Sequence, residues 1–148
     1  MPCQILIKNK LKKETFMRYR ILNVNAEEIA FKVNRISLPP ATKINLSPRF
    51  KRQVKTAEHN PNLKLIALSM SIKSTEEDKK PFDLYISFVG NFEVNGADDT
   101  QSNEEFLLRA TNDLFHYLRT AALSVTASAN IAPFMLPIEA PYFPPTND

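Results

Sequence analysis

Apolar and polar positions alternate most cleanly in two neighbouring stretches. In LIALSMSI, residues 65–72, Ile66, Leu68, Met70 and Ile72 fall on one side, and Leu65, Ala67, Ser69 and Ser71 on the other. A period of two predicts a strand. In PFDLYISFVGNFEV, residues 81–94, Phe82, Leu84, Ile86, Phe88, Phe92 and Val94 line one face, with Asp83, Tyr85, Ser87, Asn91 and Glu93 on the other. The two stretches describe a sheet with one dry and one wetter face, and the polar KSTEEDKKP at 73–81 fits a hairpin between them. Upstream, FMRYRILNV and IAFKV predict the two halves of a long strand, the second presenting Ile29, Phe31 and Val33, with a polar turn NAEE at 25–28 between them. LPPA at 38–41 breaks the chain, because neither proline donates to a ladder. TKINLSPRFKRQV then places Ile44, Leu46, Phe50 and Val54 on one face; Pro48 within it predicts an edge strand. Four strands in succession predict an antiparallel meander.

A dry face needs a cover, and the pattern changes period to supply it. Ser102, with Glu105 three residues on, makes a capping-box pattern. From there Leu107, Ala110, Leu114, Leu118, Ala121 and Val125 recur at helical spacing, widened by Phe115 and Ala122. A helix from 103 to about 129 is roughly 40 Å long at 1.5 Å per residue, more than one small sheet requires. Its second half, AALSVTASA, is built of small side chains. They suit either a tight fit on its own sheet or a contact with a helix of another subunit. Beyond lies an apolar, proline-spaced segment: Phe134, Met135, Leu136 and Ile138. The expected fold is α+β: a four-stranded antiparallel sheet followed by one long helix. One domain spans 1–148, with a basic extension at 1–15 and a short Pro-rich tail at 142–148.

Composition narrows the function classes. The chain has 148 residues, 43% apolar and 24% charged, which reads as globular. No apolar run approaches the roughly 20 residues needed to span a bilayer. The opening MPCQILIKNKLKK sets its apolar run before its charges, the reverse of a secretory leader, so a cytoplasmic location is expected. Gly90 and Gly96 are the two glycines, so no phosphate-cradling glycine loop exists. The single Cys3 forms no internal disulfide. His59 and His116 stand apart, no metal-ligand spacing occurs, and no serine-hydrolase elbow is present. Asp98, Asp99, Glu104 and Glu105 suit the start of a helix, whose dipole they complement. Neither an enzyme nor a cofactor is expected. The net charge of +3 conceals an asymmetry: residues 1–55 carry 13 Lys/Arg against 3 Asp/Glu, and residues 56–148 carry 6 against 13.

One stretch carries a resemblance. LFHYLRTAALSVTASANIAPFMLPIEAP, residues 114–141, is similar to the region of SecB-type chaperones in which a Leu-Phe-x-Tyr-Ala-Arg-like helix runs into small residues and an apolar, proline-containing loop. Leu114, Phe115, Tyr117 and Arg119 match; His116 and Leu118 stand where the family has proline and alanine. EIAFKV resembles the family's first strand and VGNFEVNG, 89–96, the end of its fourth. The resemblance runs from Arg18 to Pro141.

It implies a homo-oligomer, a dimer of dimers with the long helices between the sheets, which holds non-native polypeptides in apolar grooves without nucleotide. The implied peptide-binding residues are Ile36, Leu38, Phe50, Phe134, Met135 and Leu136. Leu118, Ala121, Ala122 and Val125 are the implied oligomer interface. Clients are unfolded or nascent chains, for export or for a dedicated partner such as an antitoxin. Two departures weigh against SecA docking. The first strand carries Arg18, Arg20, Lys32 and Arg35, where export-type members are acidic. The closing PYFPPTND is too rich in proline for the second helix of those members. The rival from another class is a nucleic-acid-binding or adaptor module using Lys8, Lys10, Lys12 and Lys13 with Arg49, Lys51 and Arg52. Its phosphate contacts are salt-sensitive, and no helical recognition motif accompanies the charge. A SecB-fold structural protein with closed grooves is a third alternative.

Overall fold

A computed structural model describes residues 18–36, 45–96 and 100–144. The strands are β1 (Arg18–Val33), β2 (Arg49–Thr56), β3 (Leu63–Ile72) and β4 (Phe82–Asn95), followed by one helix, α1 (Thr100–Ser128). The alternation in β3 and β4 becomes the core face. Leu68 lies opposite Phe88, Met70 opposite Ile86 and Ile72 opposite Leu84, and Leu68, Met70, Ile72, Leu84 and Ile86 are buried. From the helix, Phe106, Ala110, Leu114, Phe115, Leu118 and Ala122 close on them. Gly90 faces α1 at the tightest point: a Cβ there meets the Phe92 ring at 2.8 Å and Leu114 Cδ2 at 3.0 Å, so only a bare backbone lets both side chains in.

The sheet order is β1-β4-β3-β2, all antiparallel, and not the expected meander. β2, β3 and β4 follow one another as hairpins, while β1 sits on the far edge beside β4. Strand length explains the choice. β1 and β4 have 16 and 14 residues, whereas β2 has 8. Pairing long with long satisfies more backbone groups. β1 and β2, consecutive in the chain, therefore lie on opposite edges of the sheet and are not joined by a tight turn. The expected turn at 25–28 is also replaced: the strand continues through it. Register shifts between Ile21 and Asn23 and between Ala26 and Glu28 mark two bulges, each absorbing an extra residue without reversing the chain. The helix begins two residues before Ser102, which therefore sits inside the first turn, and Glu105 pairs with Arg109 at 2.8 Å. Glu104 and Glu105 lie beyond the first turn, which holds no acidic residue.

The chain is pinned where it leaves β1. Asn34 donates its backbone N–H to Pro81 O at 2.9 Å, and its side-chain amide to Lys80 O and to Asp83 Oδ1, 3.2 and 2.9 Å away. Ser74 N–H donates to the same Asp83 oxygen at 2.9 Å. Ahead of β2, the buried Lys80 reaches the carbonyl of Asn45 and pairs with Asp78 at 3.0 Å. The hydrogen bond from Asn34, reinforced by that from Ser74, holds the Asp83 carboxyl below the usual carboxylate range. The sign follows: a depressed folded value adds stability above the unfolded value of about 3.9, lost as pH falls through the folded value. Asp83→Asn is expected to flatten the acid limb of the stability curve below about pH 4. Urea titrations between pH 2.5 and 6 check it, and an unchanged slope refutes it.

Candidate peptide-binding site

The end of β1, the start of β2 and the segment after α1 converge at one end of the sheet. Phe50 on β2 faces the helix, its ring 5.7 Å from that of Phe115. Across the sheet, Phe82 lies 5.5 Å from Phe31 and 6.4 Å from Phe134. Phe31, Phe50 and Phe134 are half-buried and pack on the core. Ile36 is half-buried just beyond the pinned end of β1, and Leu38 lies outside the described residues. Met135 points outward, 59% exposed. Leu136 turns inward and is only 2% exposed, so it belongs to the core and corrects the expectation that it meets a client.

How the chain leaves the helix determines this arrangement. Asn130 adopts a left-handed conformation, φ 58°, which asparagine tolerates at a helix end. Thr126, fully buried, donates its hydroxyl to Ala122 O at 2.8 Å and accepts the Phe134 N–H at 2.8 Å. Arg119 Nε donates to Leu136 O at 2.9 Å. Further on, Ala140 N–H donates to Asn112 Oδ1 at 3.1 Å, and Arg52 donates to Pro144 O at 2.6 Å. Arg52 also bonds the Thr111 hydroxyl at 3.0 Å and lies 5.1 Å from the centre of the Phe143 ring. Burial pulls its pKa below the usual arginine value. The tail thus folds back along α1 toward the helix N-terminus. Arg119 stood in the helix motif without a role, and Arg52 stood among the basic residues; nothing in the sequence pointed to Asn112 or Thr126.

The expected oligomer residues divide. Leu118 and Ala122 are fully buried against this chain's own sheet, because they lie on the stripe that covers β3 and β4. Ala121 and Val125 are half-buried on the flank of that stripe. The outward flank of α1 forms an open groove with β1, lined by Ile21, Phe88, His116, Tyr117 and Ala121 among others, with a volume of about 660 Å³. Ile21, Leu22, Ile29 and Val33 of β1 are exposed; Ile21 lines this groove, whereas Leu22 lines a second one with Lys55, Leu63 and Leu65. Tyr19 anchors the start of β1 to the helix by donating to Asp113 at 2.7 Å, and burial, with that bond, pushes its pKa above the ordinary tyrosine value.

On the sheet face away from the helix, Arg49, Lys51 and Lys55 of β2 lie opposite Ser71, Ser69 and Leu65. Arg18, Arg20 and Lys32 of β1 lie opposite Asn95, Glu93 and Asp83. Among the described residues, no group of three or more His, Cys, Asp or Glu side chains gathers to hold a metal. None of the described helices is long and apolar enough to cross a membrane.

A four-stranded antiparallel sheet, one long helix and an apolar post-helical segment together define the SecB architecture, and the sequence agrees. The family model described as preprotein translocase subunit SecB matches residues 14–139. The chain belongs to the SecB family. Among solved structures, it is similar to the Mycobacterium tuberculosis SecB-like chaperone Rv1957 in complex with a ChAD peptide from the Rv1956 HigA1 antitoxin. The TM-score is 0.67 at 15% identity, covering 85% of this chain and 94% of that one. A Streptococcus agalactiae protein of unknown function aligns at 9% identity with a TM-score of 0.47, over 82% of this chain and 98% of that one. No curated protein matches the sequence.

Proposed function

We propose that this protein is an ATP-independent holdase that binds non-native polypeptides through the apolar surface where the end of β1 and the start of β2 meet the post-helical segment. The observation that carries this reading is the aromatic set Phe31, Phe50 and Phe134, half-buried with Met135 exposed beside it. Open apolar surface framed by polar residues suits a polypeptide partner, and a flexible thioether beside aromatic rings accommodates varied side chains. Membership of the SecB family supports the reading, as does a fold shared with a chaperone that holds an antitoxin peptide. The basic β1 and β2 favour a dedicated client or partner with acidic character over docking to SecA. The test is light scattering of an unfolded client without ATP at two salt concentrations. Suppression near stoichiometric ratios that survives salt supports a groove. Suppression that collapses with salt points to the basic residues, and undiminished aggregation retires the holdase.

The active form in this reading is a homo-oligomer, a dimer of dimers, with the exposed β1 residues and the outward flank of α1 covered by a second copy. Tyr117→Glu is expected to lower the mass found by sedimentation to that of a smaller species, because an unpaired carboxylate is costly in a desolvated contact. An unchanged mass refutes the placement of that contact.

A further inference from the structure

Three residues of α1 form a ruled line. Asn112, Arg119 and Thr126 recur every seven residues, which returns to nearly the same side of a helix after about 10.5 Å. Each holds the returning tail by a main-chain atom: Thr126 takes the N–H of Phe134, Arg119 the carbonyl of Leu136, and Asn112 the N–H of Ala140. Arg52, bonded to Thr111 beside Asn112, continues the line to the carbonyl of Pro144. The last three anchored positions are four residues apart. From Leu136 to Ala140 four residues reach at most about 14 Å when extended, enough to cover the seven-residue step of the helix with the bend at Ile138 and Glu139.

Contacts to main-chain atoms carry no side-chain requirement, so this line accepts any extended chain. The tail is moreover a poor fit. Ile138 and Tyr142 stand 69% and 82% exposed, and a cleft of about 330 Å³ remains between Arg52, Leu107, Thr111 and the tail from Ala140 to Phe143. Arg52 Nε is buried with no acceptor among the described residues. The tail has the features of a weakly held peptide.

We propose that Asn112 and Arg52, with Thr111 between them, form a client-backbone track, and that residues 140–144 are an internal stand-in that a client displaces. The ligand class, read from residues 140–144, is an uncharged peptide segment with apolar side chains, preferring an aromatic where Phe143 lies against the Arg52 guanidinium. The inference rests on the holdase reading and adds a second contact surface to it, along the N-terminal half of α1.

The test compares the full chain with one ending at Glu139, which keeps Leu136 and its bond to Arg119. The probe is a fluorescent peptide copying residues 140–144. The peptide is expected to bind the shortened chain by anisotropy, to bind the full chain at least fivefold more weakly, and to be displaced by a carboxymethylated unfolded protein. A tail seated about nine-tenths of the time reduces client affinity roughly tenfold, so shortening tightens client binding by that factor. In the full chain, Ala140→Pro removes the anchored N–H without removing residues, and is expected to tighten client binding likewise. In the shortened chain, Asn112→Ala weakens peptide and client together, whereas Asn112→Asp, which keeps the accepting oxygen, does not. Failure of the peptide to bind a shortened chain with an unchanged unfolding midpoint overturns the proposal. So does client binding that leaves the peptide in place, even if the full chain suppresses aggregation. If neither chain suppresses aggregation or binds client, the holdase falls and the tail is a structural strap, which overturns this proposal as well.

Discussion

Leu136→Ala is expected to destabilise the protein by about 2–5 kcal/mol, the range for emptying a filled leucine site, although the residue belongs to no helix or strand. Its side chain is 2% exposed within the core cluster of the sheet and α1. Its carbonyl is held by Arg119, which limits the backbone's freedom to collapse into the space left behind. For a chain of this size the melting midpoint falls by roughly 5–15 °C. Met135→Ala, one residue earlier and 59% exposed, is expected to stay within about 0.5 kcal/mol. Thermal unfolding of the pair decides: equal effects show that the post-helical segment does not complete the core.

The second large effect falls on client binding. Phe134→Ser with Met135→Ser is expected to abolish stoichiometric suppression of aggregation while the fold survives. Phe134 is half-buried against Phe82 and Met135 stands in solvent, so the double change costs stability about 1–2 kcal/mol, well short of a fully buried phenylalanine. If each side chain contributes about 1 kcal/mol to a bound client, their loss raises the client Kd roughly thirtyfold. Light scattering and a urea titration on the same sample check both halves. Full suppression by the folded variant places the client elsewhere.

These two predictions turn on neighbouring residues that look alike in sequence, which shows where the sequence stopped being legible. Alternation in β3 and β4 and the 3.6-residue stripe of α1 were readable because each states directly which side is dry. Pairing was not: the β1–β4 register depends on comparing strand lengths across the chain, and the bulges near Leu22 and Glu27 leave no glycine or proline to mark them. Leu136 and Phe134 carry the same apolar signal. What separates them is the path of the tail, fixed by Asn130, Thr126 and Arg119. Of the two roles open to the small residues of α1, the buried stripe shows one: Ala122 packs beside Leu118 against this chain's own sheet. The spacing of Asn112, Arg119 and Thr126 was present in the sequence, but polar residues seven apart have no meaning until a strand of chain is laid along them.

The position of β1 has a consequence for synthesis. Arg18 pairs with Asn95 and Val33 with Phe82, so β1 leaves the ribosome long before its partner exists. At about 5–20 residues per second, the interval is roughly 3–15 s. The β2–β3 and β3–β4 hairpins and α1 close over short stretches of chain, whereas β1 must wait and then dock across a long loop. Throughout that interval it presents Ile21, Leu22, Ile29, Phe31 and Val33 with an unpaired backbone, the kind of extended apolar segment that a holdase recognises. In the proposed holdase reading, a nascent copy of this protein is, for several seconds, a client for a finished one.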